Sequence, residues 1–221
     1  MISTQSLLFL QDLAANNNRD WFTANRARYE AAKKELELLA KALLEQVQTF
    51  QDLGKTEVKD CIFRINRDVR FSKNKAPYKN NLSLAIGPGG RHSGRIDYYL
   101  HIQPGGESFL GGGMWAPEPK QLAKYRQEID YNADQLKQII EAPAFKAYFP
   151  EVFGDSIKTT PKGYSADHPH IELLRRKQLF FMHRFADNEL QNPDFAAEVS
   201  QGIKTMKPFC DFMNYVFFEE K

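Results

Sequence analysis

The sequence predicts an α+β fold: a central, largely antiparallel meander packed with a long N-terminal amphipathic helix and with C-terminal helices. Three observations carry that reading. From Trp21 to Phe50 the apolar residues keep the three-or-four spacing of one helix face; between Cys61 and Leu110 the period falls to two, with turn-length connections; and helical spacing resumes at Gln121. Strands joined by short turns pair antiparallel, because a parallel pair needs a long crossover. No stretch rich in Pro, Gly or Ser is long enough to be a linker, so residues 1–221 are expected to form one domain. A globule of that length buries roughly 70 % of its unfolded surface and needs neither disulfide nor metal to hold a core.

The first element is a short helix over residues 5–13, where Leu7, Leu8, Phe9, Leu10 and Leu13 precede the helix-unfriendly run Asn16-Asn17-Asn18. Asn18 is the N-cap candidate for the long helix, with Asp20 in the first turn, where a negative charge meets the helix dipole favourably. That helix carries Tyr29, Ala32, Leu36, Leu39, Leu43, Val47 and Phe50 on one face. After Gly54, residues Cys61, Phe63 and Ile65 alternate with Ile62, Arg64 and Asn66, the pattern of a strand leading into a basic loop. Residues 82–86 and 96–102 read as the second and third strands, and Pro104-Gly105-Gly106 returns the chain into residues 108–110 as an antiparallel partner. Helices follow at residues 121–130 and, capped by Asn132, at 133–141, with a further helical turn at 143–149. Residues 159–169 read as loop and 177–184 as a strand. Pro193 suits the first position of a last helix, which Pro208 should break or kink before residues 209–218 pack.

Cys61 and Cys210 are the only cysteines, each with an apolar neighbour, which fits two reduced buried thiols better than a redox pair or a metal site. The first ten residues lack the basic start, long apolar run and small-residue cleavage site of a secretory signal. No window approaches the roughly 18 consecutive apolar residues of a membrane span. A cytoplasmic protein with no membrane partner is the expectation.

The formal charge of +2 is unevenly placed: between Arg64 and Lys79 six basic residues (Arg64, Arg67, Arg70, Lys73, Lys75, Lys79) face one acid, Asp68, a local +5 that leaves −3 for the rest of the chain. Such local basicity fits a small anion site better than a surface coated for nucleic acid. Planar Arg forks and Lys ammonium groups beside Asn66 and Tyr78 are what a phosphate or carboxylate requires. The same residues also suit a solvated loop pinned by ion pairs. On an unbroken strand Arg67 would fall on the apolar face with Phe63, Ile65, Val69 and Phe71, so either a bulge or turn intervenes near Asn66 or Arg67 meets a buried carboxylate.

Other features are less specific. Asn25 lies four residues after Trp21 and four before Tyr29, placing an amide on an apolar stripe that needs either backbone or ligand partners. Gly111-Gly112-Gly113 precedes Met114-Trp115, and a glycine run lets backbone approach a ligand, a strand or the Trp115 ring. Its spacing is not a dinucleotide fingerprint, and Gly54-Lys55-Thr56 lacks the first glycine and the preceding strand of a P-loop. Asp167, His168 and His170 have metal-compatible spacing without a visible third or fourth ligand, so no metal is assigned. Nucleophile-elbow, zincin and kinase motifs do not occur.

Four stretches together resemble one family: residues 16–29, residues 63–80 with RINRDVRFSKNKAPYK within them, residues 111–117, and residues 161–177 with PKGYSADHPHIELLRRK. The family is the bacterial and fungal group known as domain of unknown function 2461. The resemblance implies one α+β domain with a largely antiparallel central sheet, brings no activity or cofactor with it, and directs attention to those stretches. The function expected is therefore binding of a phosphorylated or other anionic small molecule, with Arg64, Asn66, Arg67, Arg70, Lys73, Tyr78, Lys79, Asn25, Gly112 and Trp115 as candidate contacts. The alternatives are an enzyme on a phosphoester or nucleotide, with Asp68 as base or metal ligand, and nucleic-acid binding through the basic loop. A purely protein-binding role would use exposed aromatics such as those near Phe217 and Phe218.

Overall fold

A computed structural model of the chain describes residues 1–218. The chain divides into two compact units built from non-contiguous segments: Met1–Gly94, Tyr99–Leu110 and Arg184–Lys204 in the first, and Arg95–Tyr98, Gly111–His183 and the residues from Thr205 in the second.

In the first unit, α1 (Thr4–Ala15) starts where the Ser3 hydroxyl accepts the amide of Ser6 at 3.2 Å. Asn18 caps α2 (Arg19–Ala24) as the sequence predicts, its side-chain oxygen accepting from Trp21 N at 2.9 Å. The long helix, however, begins only at α3 (Arg26–Val47), because Asn25 interrupts it at φ −105° and ψ 17°. The Asn25 side chain donates to the Trp21 carbonyl at 2.9 Å, beside the bond that this carbonyl accepts from Asn25 N at 3.0 Å, and so caps the end of α2. Beyond that break, Leu36, Leu39, Leu43 and Val47 are buried on the predicted face and share the core with Phe9, Leu10 and Leu13 of α1. Each such side chain contributes about 1.5–3 kcal/mol of burial. Glu35 also ties the two helices, accepting from Ser3 N at 2.8 Å and from the Ser6 hydroxyl at 2.6 Å.

The strand expected at Cys61, Phe63 and Ile65 does not form. Cys61 instead ends the helical turn α4 (Val58–Cys61), where Asp60 accepts from Glu57 N at 2.9 Å. The chain then runs extended past β1 (Leu82–Ile86), touching it at the single bridge Ile62↔Leu84 and through Phe63 N to Ser83 O at 3.1 Å. A bend at Ile65 takes the basic segment away from the sheet. Beyond β1, Gly90 opens a 3-10 turn (Gly90–His92) at φ +57°, where any Cβ would strike the Asp60 carbonyl.

Strand β2 (Tyr98–Ile102) buries alternate residues, and β3 runs from Ser108 to Met114, so the glycine run is strand and not the loop after it. The second unit continues with α5 (Pro119–Glu141), kinked where Asn132 leaves helical geometry at φ −138°, which is the break expected between residues 130 and 133. Next come α6 (Pro143–Tyr148), the three-residue strand β4 (Glu151–Phe153), which is too short to show in the sequence, and the turn α7 (Ile171–Leu174). The Tyr125 hydroxyl donates to Leu173 O at 3.2 Å and Arg126 Nε to Leu174 O at 3.0 Å, fastening α7 to α5.

Strand β5 (Leu179–Phe185) pairs antiparallel with β4 through Val152↔Phe181. The last helix, α8 (Phe195–Phe218), starts two residues after Pro193 and does not break at Pro208. Pro208 is exposed, so the carbonyl it leaves without an amide partner can turn to water. The strands form one five-stranded antiparallel sheet in the order β1-β2-β3-β5-β4, with helices at both ends of the chain, an α+β architecture. Among the described residues no helix is long and apolar enough to cross a membrane.

Candidate functional site

The basic segment folds into an irregular hairpin. Asn66 bridges Tyr78, Arg67 N donates to Pro77 O at 2.9 Å and Lys79 N to Ile65 O at 2.8 Å, leaving Arg70 and Phe71 at the tip. Asn17 clamps the base of this hairpin, its Nδ2 donating to Tyr78 O and its Oδ1 accepting from Tyr78 N, each at 3.0 Å. The Tyr78 ring is stacked on Phe22 at 3.9 Å and 14°. Of the two expectations for Arg67, the bend is the one realised. Its guanidinium donates to Ala76 O at 3.0 Å and to the Ser72 hydroxyl at 3.4 Å, so the hairpin's own loop holds it, not a carboxylate.

Beside the hairpin lies a cleft of about 910 Å³ within the first unit. Helix α3 supplies Tyr29, Lys33 and Glu37 to its wall, and the extended segment supplies Phe63, Arg64, Asn66, Arg67 and Asp68. Lys79 closes the hairpin side, while Lys59 of α4 and Arg91 and His92 of the 3-10 turn complete the rim. Six cations thus face two acids.

Most of those cations are already engaged. Lys33 pairs with Glu37 at 3.4 Å, Lys59 pairs with Glu57 at 2.6 Å, and Arg91 donates to the carbonyl of Lys59. Arg64 and Lys79 differ: among the described residues neither makes an ion pair or a side-chain hydrogen bond. Lys79 stands 5.3 Å from the centre of the Phe63 ring, a cation–π contact. Its burial, and then the positive charge of Arg64, push its ammonium below the usual lysine range. Burial likewise raises the Tyr29 phenol, which therefore stays a neutral hydroxyl on the cleft wall.

Asp68 sits on the rim, but Arg70 grips both its oxygens, Nε to Oδ1 at 3.0 Å and Nη2 to Oδ2 at 2.7 Å, and both side chains are exposed. These hydrogen bonds hold the Asp68 carboxyl below the ordinary carboxylate range, which suits an ion pair and not a proton acceptor. Arg70 itself does not line the cleft. Lys73 is exposed and outside the cleft wall. Tyr78 lines a second pocket of about 320 Å³ that shares Arg67 and Lys79 with the cleft.

The remaining candidates lie outside both pockets' walls and contact neighbouring protein groups. Asn25 bonds Trp21 O and accepts from Arg28 at 3.2 Å. Gly112 belongs to the second unit, where a Cβ would lie 2.5 Å from Met206 Sδ and 3.3 Å from Cys210 Sγ, so the close neighbour is helix α8. Trp115 stacks on Phe153 at 4.8 Å, and its carbonyl accepts from Gln178 at 2.6 Å. His168 spends both ring nitrogens, one on Asp130 at 3.1 Å and the other on His170 N at 3.1 Å, while Asp167 is held by Ser165. Among the described residues no three His, Cys, Asp or Glu side chains gather as metal ligands. Both cysteines are buried and unbridged.

Tyr29, Lys33, Lys59 and Arg91 enter the cleft without a signal in the sequence reading. Lys33 follows Tyr29 by one helical turn and so shares its face, the one hint available; Lys59 and Arg91 arrive through turns whose partners are distant in the chain. No curated protein and no solved structure matches the chain. A family model described as conserved hypothetical protein (DUF2461) matches residues 5–212, nearly the whole length, and the chain belongs to that family.

Proposed function

We propose that the protein binds a small phosphorylated or otherwise anionic molecule in the cleft of the first unit. The observation that carries this is the pair Arg64 and Lys79, two cations lining one cleft with neither held in an ion pair or side-chain hydrogen bond among the described residues, and near enough that the charge of Arg64 lowers the Lys79 ammonium. Holding like charges together in a partly desolvated wall opposes folding, and an anion placed between them removes the repulsion. The guanidinium fork of Arg64 and the point charge of Lys79 suit a phosphate with several acceptor oxygens. Asn66 and the Tyr29 hydroxyl stand on the same wall to orient what the charges attract.

A ligand that binds only the folded state raises the melting temperature by mass action, by the equivalent of about 2.7 kcal/mol at a hundredfold excess over Kd. Inorganic phosphate, pyrophosphate and citrate, titrated against the purified protein, are expected to raise Tm. The shift disappears in the Arg64→Ala, Lys79→Ala double variant and persists in Arg70→Ala, whose guanidinium is tied to Asp68. Equal shifts in wild type and the double variant, or none with any anion, sink the proposal.

A further inference from the structure

We infer that the ligand of this cleft is a phosphate ester of a polyhydroxylated compound, such as a sugar phosphate, whose hydroxyl-bearing part lies in the smaller pocket beside the hairpin; the inference rests on the anion-binding reading above. The smaller pocket and the cleft share Arg67 and Lys79, so one molecule can hold its phosphate between Arg64 and Lys79 and extend past Lys79 into the pocket. The pocket wall is rich in amides: Asn17, Asn74, Asn80 and Asn81.

These amides are not equivalent. Asn17 is consumed by the backbone of Tyr78, and Asn74 Oδ1 accepts from Ala76 N at 2.9 Å. Asn80 and Asn81 are half-buried, yet their side chains make no hydrogen bond with any described residue. A half-buried carboxamide offers two donors and an acceptor, and here these atoms are open to the pocket, where water or ligand hydroxyls can take them. Two such amides side by side match adjacent hydroxyl groups, each of which both donates and accepts.

The same wall discriminates against a nucleobase. A base needs an open aromatic or apolar face, and the one aromatic ring in the pocket, Tyr78, already has a face covered by Phe22 at 3.9 Å. The exposed ring at the hairpin tip, Phe71, lines neither pocket. With a volume of about 320 Å³, the pocket is in the range of small-molecule sites.

The test compares inorganic phosphate, ethyl phosphate, glucose 6-phosphate and adenosine monophosphate by titration calorimetry at about pH 7.5, where a phosphate monoester is largely dianionic. Glucose 6-phosphate is expected to bind about tenfold more tightly than ethyl phosphate, the yield of one or two additional net hydrogen bonds. The Asn80→Ala, Asn81→Ala variant should bind ethyl phosphate like wild type, which also certifies its fold, and should lose the preference for the sugar. Ethyl phosphate equal to glucose 6-phosphate in wild type overturns the inference and leaves the anion site standing, as does a preference retained in the variant. Tighter binding of adenosine monophosphate overturns the hydroxyl class and points to the Tyr29 and Phe63 rings of the cleft. Failure of every phosphate to bind removes the anion site and this inference together. The comparison of esters needs no variant, so it decides the matter even if the double substitution does not fold.

Discussion

Lys79 is the residue whose chemistry sets the site apart, and its protonation makes a pH prediction with a definite sign. In the folded protein its ammonium lies below the usual lysine range, because of burial first and Arg64 second, whereas in the unfolded chain it is near 10.4. The free fold therefore releases this proton more readily than the unfolded chain does. The destabilising contribution is fully present below the folded pKa and fades as pH rises between the two values. A bound anion reverses the balance by favouring the charged form. Phosphate affinity in wild type should accordingly fall as pH is raised from about 8 toward 10, a range in which phosphate itself remains largely dianionic. In Lys79→Arg the guanidinium does not titrate, and the profile should be flat. A wild-type profile equally flat means Lys79 does not touch the anion. Removing the other partner, Arg64→Ala, should leave Tm without ligand no lower than wild type while weakening phosphate binding about tenfold, because the substitution relieves repulsion at the expense of attraction. A loss of Tm in that variant assigns Arg64 a structural role.

At the scale of elements, local side-chain bonds decide where the sequence pattern fails. The spacing of Leu36, Leu39, Leu43 and Val47 foretells the buried face of α3, and Asn18 foretells the cap of α2, since periodicity and capping are read within a few residues. Asn25 and Cys61 mislead for a shared reason: a side chain bonds nearby backbone, Asn25 to Trp21 O and Asp60 to Glu57 N, and marks a helix end and a helical turn where the spacing reads as continuous helix or strand. Strand β4 is three residues long and exposed throughout, so it carries no alternation to read. The hairpin clamp is likewise invisible in sequence, because Asn17 and Tyr78 are 61 positions apart. Asn17→Ala removes two backbone hydrogen bonds and should cost about 2 kcal/mol, with weaker phosphate binding because the hairpin that carries Arg67 and Lys79 is loosened. Urea titration and calorimetry read the two effects separately, and unchanged affinity would detach the clamp from the site. The glycine run makes a different prediction. Gly113 has φ +130°, and a Cβ there would meet the backbone carbonyl of Leu179 and lie 3.0 Å from the Phe209 ring. Gly113→Ala should destabilise by about 2–4 kcal/mol in urea unfolding, combining backbone strain with overpacking. A near-neutral result would mean that β3 and β5 can separate locally.

For the whole molecule, the distribution of charge separates a small ligand from a nucleic acid. The local +5 between Arg64 and Lys79 was legible in the sequence, but its arrangement was not, because the commitments of each cation are made by residues elsewhere in the chain. Asp68 neutralises Arg70, Lys75 donates to the carbonyl of Val69 at 3.0 Å, and Arg67 is bound into its own loop. What remains uncommitted, Arg64 and Lys79, lies in a concave wall where a duplex backbone does not follow, while the outward-facing tip retains Lys73 and the Phe71 ring, 96 % exposed. Phe71 with Arg70 at 5.8 Å from its centre is the feature that most favours single-stranded nucleic acid, since an open ring beside a cation can stack a base. Each phosphate neutralised by a protein cation contributes about 0.7 to the salt slope on a single strand and about 0.9 on duplex. With one or two outward cations, the slope of log K against log salt for a short single-stranded RNA should be no steeper than about −2, with affinity no tighter than about 10⁻⁴ M at physiological salt. Fluorescence anisotropy over a salt series measures both quantities. A slope near −3 would show that Arg67, Arg70, Lys73 and Lys75 all reach phosphates at once, which requires the Asp68 pair and the loop bonds to open, and would make the hairpin a nucleic-acid-binding arm in place of the wall of a small-molecule site.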